Sequence, residues 1–235
     1  YAKLLLMKKY RHLKRQIINL TLLVLTIGLL FGAFSTLWAI TLPVPDFETF
    51  FVKQIAEQST KIYDRTGEVL LYDVRGVRRT PVKFGEIPAI MKNATLAIED
   101  DTFYTHKGVR PDAIARAFLV NLVSGGVKQG GSTITQQVVK NSLLTRDKTV
   151  TRKIKEVVLS VKLEKSMTKD EILNIYLNQS PYGGNIYGVQ EAARAYYKKD
   201  ISEITLAEAA YLASIPQAPN YYSPYGNNKL ALEKR

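Results

Sequence analysis

Residues 16–45 carry no charged side chain, and the residues before them hold Lys3, Lys8, Lys9, Arg11, Lys14 and Arg15 with no acid. As a helix, residues 17–42 would reach roughly 39 Å, enough to cross a hydrocarbon layer of about 30 Å with some tilt. The basic flank predicts a single pass with the N-terminus in the cytoplasm, everything after Pro45 outside, and Trp38 at the outer interface. A cleaved signal peptide has an apolar core of only about 7–15 residues, so the run reads as an uncleaved anchor in the plasma membrane. Pro43 and Pro45 end it, because proline cannot continue a helix and restricts the residue before it. The expected division is a basic tail over 1–15, a transmembrane helix over 16–45, a linker with a small β region over 46–84, and a folded domain over 85–235.

The absence of cysteine excludes disulfides and cysteine zinc sites, and the two histidines are too few for a histidine-rich metal centre. The net charge of +12 is split between the tail and the middle of the chain, which favours anionic lipid or phosphate over nucleic acid. Phe47, Phe50, Phe51, Val52 and Ile55 form a short amphipathic segment suited to the bilayer surface or to the domain. Residues 61–84 are the one expected strand region, with Asp64-Arg65-Thr66-Gly67 as a hairpin turn between Ile62-Tyr63 and residues 69–74. Beyond it the pattern is helical. Ile114, Phe118, Leu119, Leu122 and Val123 make a broad apolar face ending at Ser124-Gly125-Gly126, and a glycine-rich loop over 124–131 follows. Capping boxes at Thr168/Glu171 and Thr205/Glu208 open two later helices, and Tyr182-Gly183-Gly184-Asn185 reads as a loop.

Three blocks between residues 99 and 156 carry the chemistry. The first, Glu99-Asp100-Asp101-Thr102-Phe103-Tyr104-Thr105-His106-Lys107-Gly108, follows an apolar helical run, where partial desolvation suits a glutamate to proton transfer. The second, Gly130-Gly131-Ser132-Thr133-Ile134-Thr135-Gln136-Gln137-Val138-Val139-Lys140-Asn141, is a Gly-Gly turn opening a helix with Thr133 and Gln136 at capping-box spacing. Such a start predicts a phosphate seat on exposed N–H groups, with Gln137, Lys140 and Asn141 along one polar face. In the third, Arg152 and Glu156 stand at i, i+4 on a helix expected to bury Ile154, Val157, Val158 and Val161. A surface pair of that order would stabilise by only about 0.3–0.5 kcal/mol, a thin reason for its presence.

Together these blocks resemble the glycosyltransferase domain of the class A penicillin-binding proteins and monofunctional transglycosylases. The matching residues are Glu99, Asp100, Phe103, His106 and Gly108, then 130–141, then Arg152, Lys153 and Glu156. Residues 169–178 look like a fourth motif. The resemblance implies a mainly α, lysozyme-like bilobal helical domain with a small β-hairpin linker, preceded by one transmembrane helix. It also implies that the region of residues 111–123 belongs to a lobe dipping into the membrane surface. The implied activity is inverting polymerisation of lipid II into β-1,4 glycan, with the growing strand as the second substrate.

On that reading Glu99 is the base, with Glu156 as the second catalytic residue. Lys140 and Arg152 neutralise the leaving diphosphate, with Lys153 beside them, while Ser132, Thr133 and Gln137 donate hydrogen bonds to it. Gln136 and Asn141 complete the expected substrate-binding set. Asp100, Phe103 and His106 belong to the same set by motif, with Asp100 and His106 supporting the loop around Glu99. No organic cofactor is expected. The sequence leaves open whether Glu156 orients the cations or holds a divalent cation, Mg or Mn, with Asp100 as a second candidate ligand. Both chain ends read as those of a fragment, so a C-terminal transpeptidase domain and cell-wall synthesis proteins stand among the expected partners. Two rival readings are an anchored lysozyme-like hydrolase or lytic transglycosylase, and a wall-binding module without catalysis.

Overall fold

A computed structural model describes residues 2–42, 61–73, 76–124, 130–144 and 149–224. It divides into two compact units, Tyr1–Pro43 and Val44–Arg235. The amphipathic segment around Phe47–Ile55, the centre of the glycine-rich loop and the last residues of the chain lie outside the described residues.

The first unit is one helix, α1 (Ala2–Thr41), so the basic tail and the apolar run form a single continuous element. It stops just before the two prolines. Within it, Lys14–Phe34 is long and apolar enough to cross a membrane, and that window is wholly unburied. Its polar groups are satisfied internally: the Thr21 and Thr26 hydroxyls donate to the carbonyls of Ile17 (2.9 Å) and Leu22 (2.8 Å). In lipid there is no water to take that role.

The second unit begins with an antiparallel hairpin of β1 (Lys61–Tyr63) and β2 (Leu70–Asp73), pairing Lys61 with Asp73 and Ile62 with Tyr72. The expected turn chemistry closes it. The Asp64 carboxylate accepts from the Thr66 hydroxyl and from the N–H groups of Glu68 and Val69, and these donors hold its pKa below the usual aspartate value. Next comes β3 (Arg78–Arg79), then α2 (Ala89–Glu99), α3 (Pro111–Ser124), α4 (Ile134–Ser142), α5 (Val150–Ser166) and α6 (Lys169–Gln179). The chain continues through β4 (Pro181–Gly183), β5 (Ile186–Tyr187), α7 (Val189–Tyr197), α8 (Leu206–Ser214) and the short α9 (Pro219–Tyr222). The domain is mainly helical with little sheet, as expected.

Helix α4 lies against both α5 and α6, and α2 packs on α8. Ile134, Val138 and Val139 of α4 are buried, as are Leu159 and Leu163 of α5 and Ile172, Leu173, Ile175 and Leu177 of α6. Each such aliphatic side chain contributes about 1.5–3 kcal/mol by leaving water. Asn178 ties the segment before α2 to this core: its amide donates to Val82 O (3.0 Å) while its oxygen accepts from Val82 N (2.8 Å).

Two expectations need correction, the loop at residues 182–185 and the buried stripe of α5. Residues 181–187 are not a plain loop: β4 and β5 form a three-stranded sheet with β3, in which β3 runs parallel to β5. Two- and three-residue strands are too short to leave a period-two pattern, and β3, the third strand, comes from far earlier in the chain, pairing Arg78 with Ile186. On α3, among the residues whose burial is described, Ala113 and Ala117 are buried, while Ile114, Leu119, Val120 and Val123 face outward, Val123 at 88% exposure. On α5 the buried stripe is Glu156, Leu159, Ser160 and Leu163, whereas Ile154 is exposed and Val157, Val158 and Val161 are half-buried. The polar members of that stripe are compensated, since the Ser160 hydroxyl donates to Glu156 O at 2.6 Å and the Glu156 carboxylate is ion-paired.

Gly108 shows why the loop after α2 can lie flat on α5. Its φ is +91°, and a Cβ there would sit 2.7 Å from the Ser160 carbonyl oxygen. Gly108→Ala should therefore combine a left-handed strain of about 1–3 kcal/mol with a backbone clash. Chemical denaturation is expected to show a loss of at least about 2 kcal/mol, and a loss under about 0.5 kcal/mol would contradict the close approach.

Candidate active site

The site grows from the end of α2. Glu99 is the last residue of that helix and Asp100 is its C-cap. These neighbouring acids reach the same helix, α4, at two points. Asp100 Oδ2 accepts from the Ile134 N–H (3.0 Å), and Glu99 Oε2 accepts from the Gln137 side-chain amide (2.7 Å).

Asp100 is a framework residue, 3% exposed. The same Oδ2 atom lies 2.8 Å from His106 Nε2, while the Gly108 N–H donates to His106 Nδ1 at 3.0 Å. Because Nδ1 accepts, the ring proton sits on Nε2 and is donated to Asp100. Thr133 caps α4, accepting from the Gln136 N–H and donating to Gly108 O at 2.7 Å, and the Gln136 side chain returns a bond to the Thr133 N–H. Two of the leading N–H groups of α4 are thus already taken, one by an internal carboxylate. The expected phosphate seat at this helix start is occupied by Asp100, which uses the same dipole a phosphate would.

Several expected substrate contacts are consequently framework. Phe103 and Gln136 are both 0% exposed and cannot reach a ligand in this conformation. Thr133 and His106 are spent on the loop. Phe103 instead carries the Lys169 ammonium 4.5 Å from its ring centroid, and Tyr104 donates to Asp170 Oδ1 at 2.8 Å, which fastens the loop to the start of α6. Asn141 is exposed.

The remaining expected residues are coupled through their charges: Lys140 feels Glu156, Lys153, Arg152 and Glu99. Lys140 stands one turn beyond Gln137 on α4. On α5, Arg152 Nη1 lies 3.2 Å from Glu156 Oε2, and Lys153 pairs with Glu156 Oε1 while donating to the Ser132 hydroxyl at 2.9 Å. Glu156 is 2% exposed, so its charge is held inside by two cations. Lys140 is open to solvent at its rim, yet the surrounding protein displaces enough water from the ammonium to lower its pKa. Lys153 and Arg152 reinforce that shift, and Glu156 and Glu99 oppose it.

Ser132 and Glu99 also line a cavity of about 240 Å³. Across it stand Arg110 and Arg116, which the sequence reading missed. Their signal was present: Asp112 and Arg116 share i, i+4 spacing directly after Gly108, and Arg110 bridges Asp101 (2.7 Å) and Asp112 (3.3 Å). Tyr176 of α6 and Tyr182 of β4, both buried, have phenol pKa values raised by burial and further by the charge of Glu99. Both phenols therefore lie within electrostatic reach of that carboxylate.

This arrangement of carboxylate, cavity and clustered cations coincides with a known sequence family. Residues 67–235 match the family described as Transglycosylase. The chain belongs to that family. Among its relatives, penicillin-binding protein 1F of Bacillus subtilis is 42% identical over 172 residues, covering 73% of this chain and 24% of the relative. Penicillin-binding protein 1A of Neisseria cinerea is 47% identical over 171 residues, covering 72% and 21%. Penicillin-binding protein 1A of Aquifex aeolicus is 44% identical over 179 residues, covering 76% and 24%. The chain thus spans about a quarter of these relatives' length, and the family match over residues 67–235 includes every site residue named above.

Both carboxylates named for a divalent cation already have protein partners. Glu156 is neutralised by Arg152 and Lys153, and the Oδ2 atom of Asp100 serves His106 and Ile134. Among the described residues no three acidic, histidine or cysteine side chains gather as a ligand set.

The lowered pKa of Lys140 has a stability sign. The folded state binds its proton less tightly than the unfolded chain, so at neutral pH the charged ammonium disfavours folding, and the penalty lifts as pH rises through the depressed value. Lys140→Met should leave the melting temperature at pH 7 unchanged or higher. A fall of several degrees would show that the ammonium stabilises the fold.

Proposed function

We propose that this transglycosylase is a membrane-anchored peptidoglycan glycosyltransferase that polymerises lipid II into β-1,4 glycan strands and releases the lipid diphosphate. The observation that carries the reading is the Gln137 hydrogen bond to Glu99, which brings a carboxylate within a helical turn of Lys140 and its neighbouring cations. Glu99 takes the proton of the acceptor 4-hydroxyl as that oxygen attacks the donor anomeric carbon. The bond from that carbon to the diphosphate oxygen breaks, its electron pair leaves with the diphosphate, and an α-linked donor becomes a β-linked product.

Lys140, Arg152 and Lys153 meet the developing charge, with the Ser132 hydroxyl beside them. Preorganised charge of this kind is usually the larger part of catalysis. Glu156 keeps Arg152 and Lys153 gathered, and no step in the scheme passes through a metal. The outward apolar residues of α3 support entry of a lipid substrate at a membrane surface, and Lys14–Phe34 supports an anchor with the N-terminus in the cytoplasm and the catalytic domain outside. The growing glycan, a transpeptidase domain and other wall-synthesis proteins are the partners of the same proposal. A glycan-cleaving hydrolase could use Glu99 as an acid but has no leaving diphosphate for three cations to neutralise.

The full chain in detergent, given lipid-linked disaccharide-pentapeptide, should form polymer and leave finished glycan intact. Glu99→Gln is expected to retain its fold and donor binding while polymerisation drops by about 10²-fold or more. Near-normal turnover by that variant would refute the assignment, and consumption of finished glycan alone would favour the hydrolase.

A further inference from the structure

Gln137 has a task other than the diphosphate contact expected of it. Its amide nitrogen is 2.7 Å from Glu99 Oε2, and the backbone that carries it is fixed from two sides. Its own N–H bonds to Thr133 O at 3.0 Å, and the start of its helix is held by Asp100, the residue after Glu99. The end of α2 is consequently stapled to α4 at two points, one through the helix backbone and one through a side chain. Lys140 follows at i+3 on the same rigid element, where side chains on one face stand about 5–6 Å apart at Cβ.

We infer that Gln137 is a positioning residue for Glu99: its amide fixes the carboxylate against α4, so that one helical turn sets the spacing between base and leaving-group cation. This inference rests on the reading of Glu99 as the base. An amide donor also favours the ionised carboxylate, the form a base must have. Charged and titratable groups near that carboxylate include Lys140 on α4, Tyr176 on α6, Tyr182 on β4, and Asp100, Asp101, Arg110 and Arg116 around the cavity. The donor to Oε2 is the Gln137 amide, at 2.7 Å. A loosened carboxylate misplaced by about 1 Å can cost on the order of 10²-fold in rate.

The test is steady-state polymerisation by the full-length chain with Gln137→Ala, the isosteric Gln137→Glu, Glu99→Gln and the double variant Glu99→Gln/Gln137→Ala. A thermal melt of each checks folding. Both Gln137 variants should lose kcat by about 10–100-fold, with donor KM changed less than about threefold. In the Glu99→Gln background, Gln137→Ala should cost little more, because its effect acts through the carboxylate. A rise in donor KM of tenfold or more at near-normal kcat would overturn the inference and make Gln137 a substrate ligand, leaving the base assignment standing. The same fold-loss in both backgrounds would also overturn it. Near-normal activity of Glu99→Gln would remove the base assignment and the inference together.

Discussion

The bond between the Asp100 carboxylate and the first turn of α4 is the contact on which the rest of the site depends. A buried carboxylate needs partners, and here it has a backbone N–H at the positive end of a helix and a histidine N–H on the other side. That joins the end of α2, the following loop and the start of α4 into one body. Gly108 lets the loop descend onto α5, and the Phe103 and Tyr104 contacts fasten it to the start of α6. Glu99 emerges from this body next to Asp100, so its position follows from packing around it. Losing the Asp100 carboxylate would leave the helix start and His106 without their shared acceptor.

An anion site at the start of α4 is thus used by the protein itself. In the proposed reaction the diphosphate must be met by side chains, and the cations present are Lys140, Arg152 and Lys153. Their mutual repulsion is held in check by Glu156, the buried carboxylate at the start of the inward stripe of α5. Lys140 remains with its proton affinity lowered by displaced water and neighbouring cations. Such a group is a poor contributor to stability and a good counter-ion for incoming negative charge.

Much of this was legible in the residues. The uncharged run appears as one long helix, the Asp64 turn closes its hairpin, and the capping boxes at Thr133, Thr168 and Thr205 form as spaced. The grouping of Glu99 with Lys140, Arg152 and Glu156 followed from their motifs. What the residues concealed is physically specific. Periodicity cannot tell an inward apolar stripe from an outward one, so α5 was turned the wrong way. On α5 a glutamate and a serine face inward because partners satisfy them. A polar side chain in a motif does not announce whether it meets substrate or protein, and Gln136 and Thr133 meet protein. Strands of two or three residues show too little alternation to read, and the β3–β5 pair joins Arg78 to the distant Ile186.

The most direct test of this account is a crystal structure of the chain with a non-reacting diphosphate-linked donor analogue. The account predicts phosphate oxygens within hydrogen-bond distance of Lys140 and at least one of Arg152 and Lys153, with Asp100 still accepting from the Ile134 N–H. A diphosphate seated on the backbone amides at the start of α4, with the Asp100 carboxylate displaced, would contradict it.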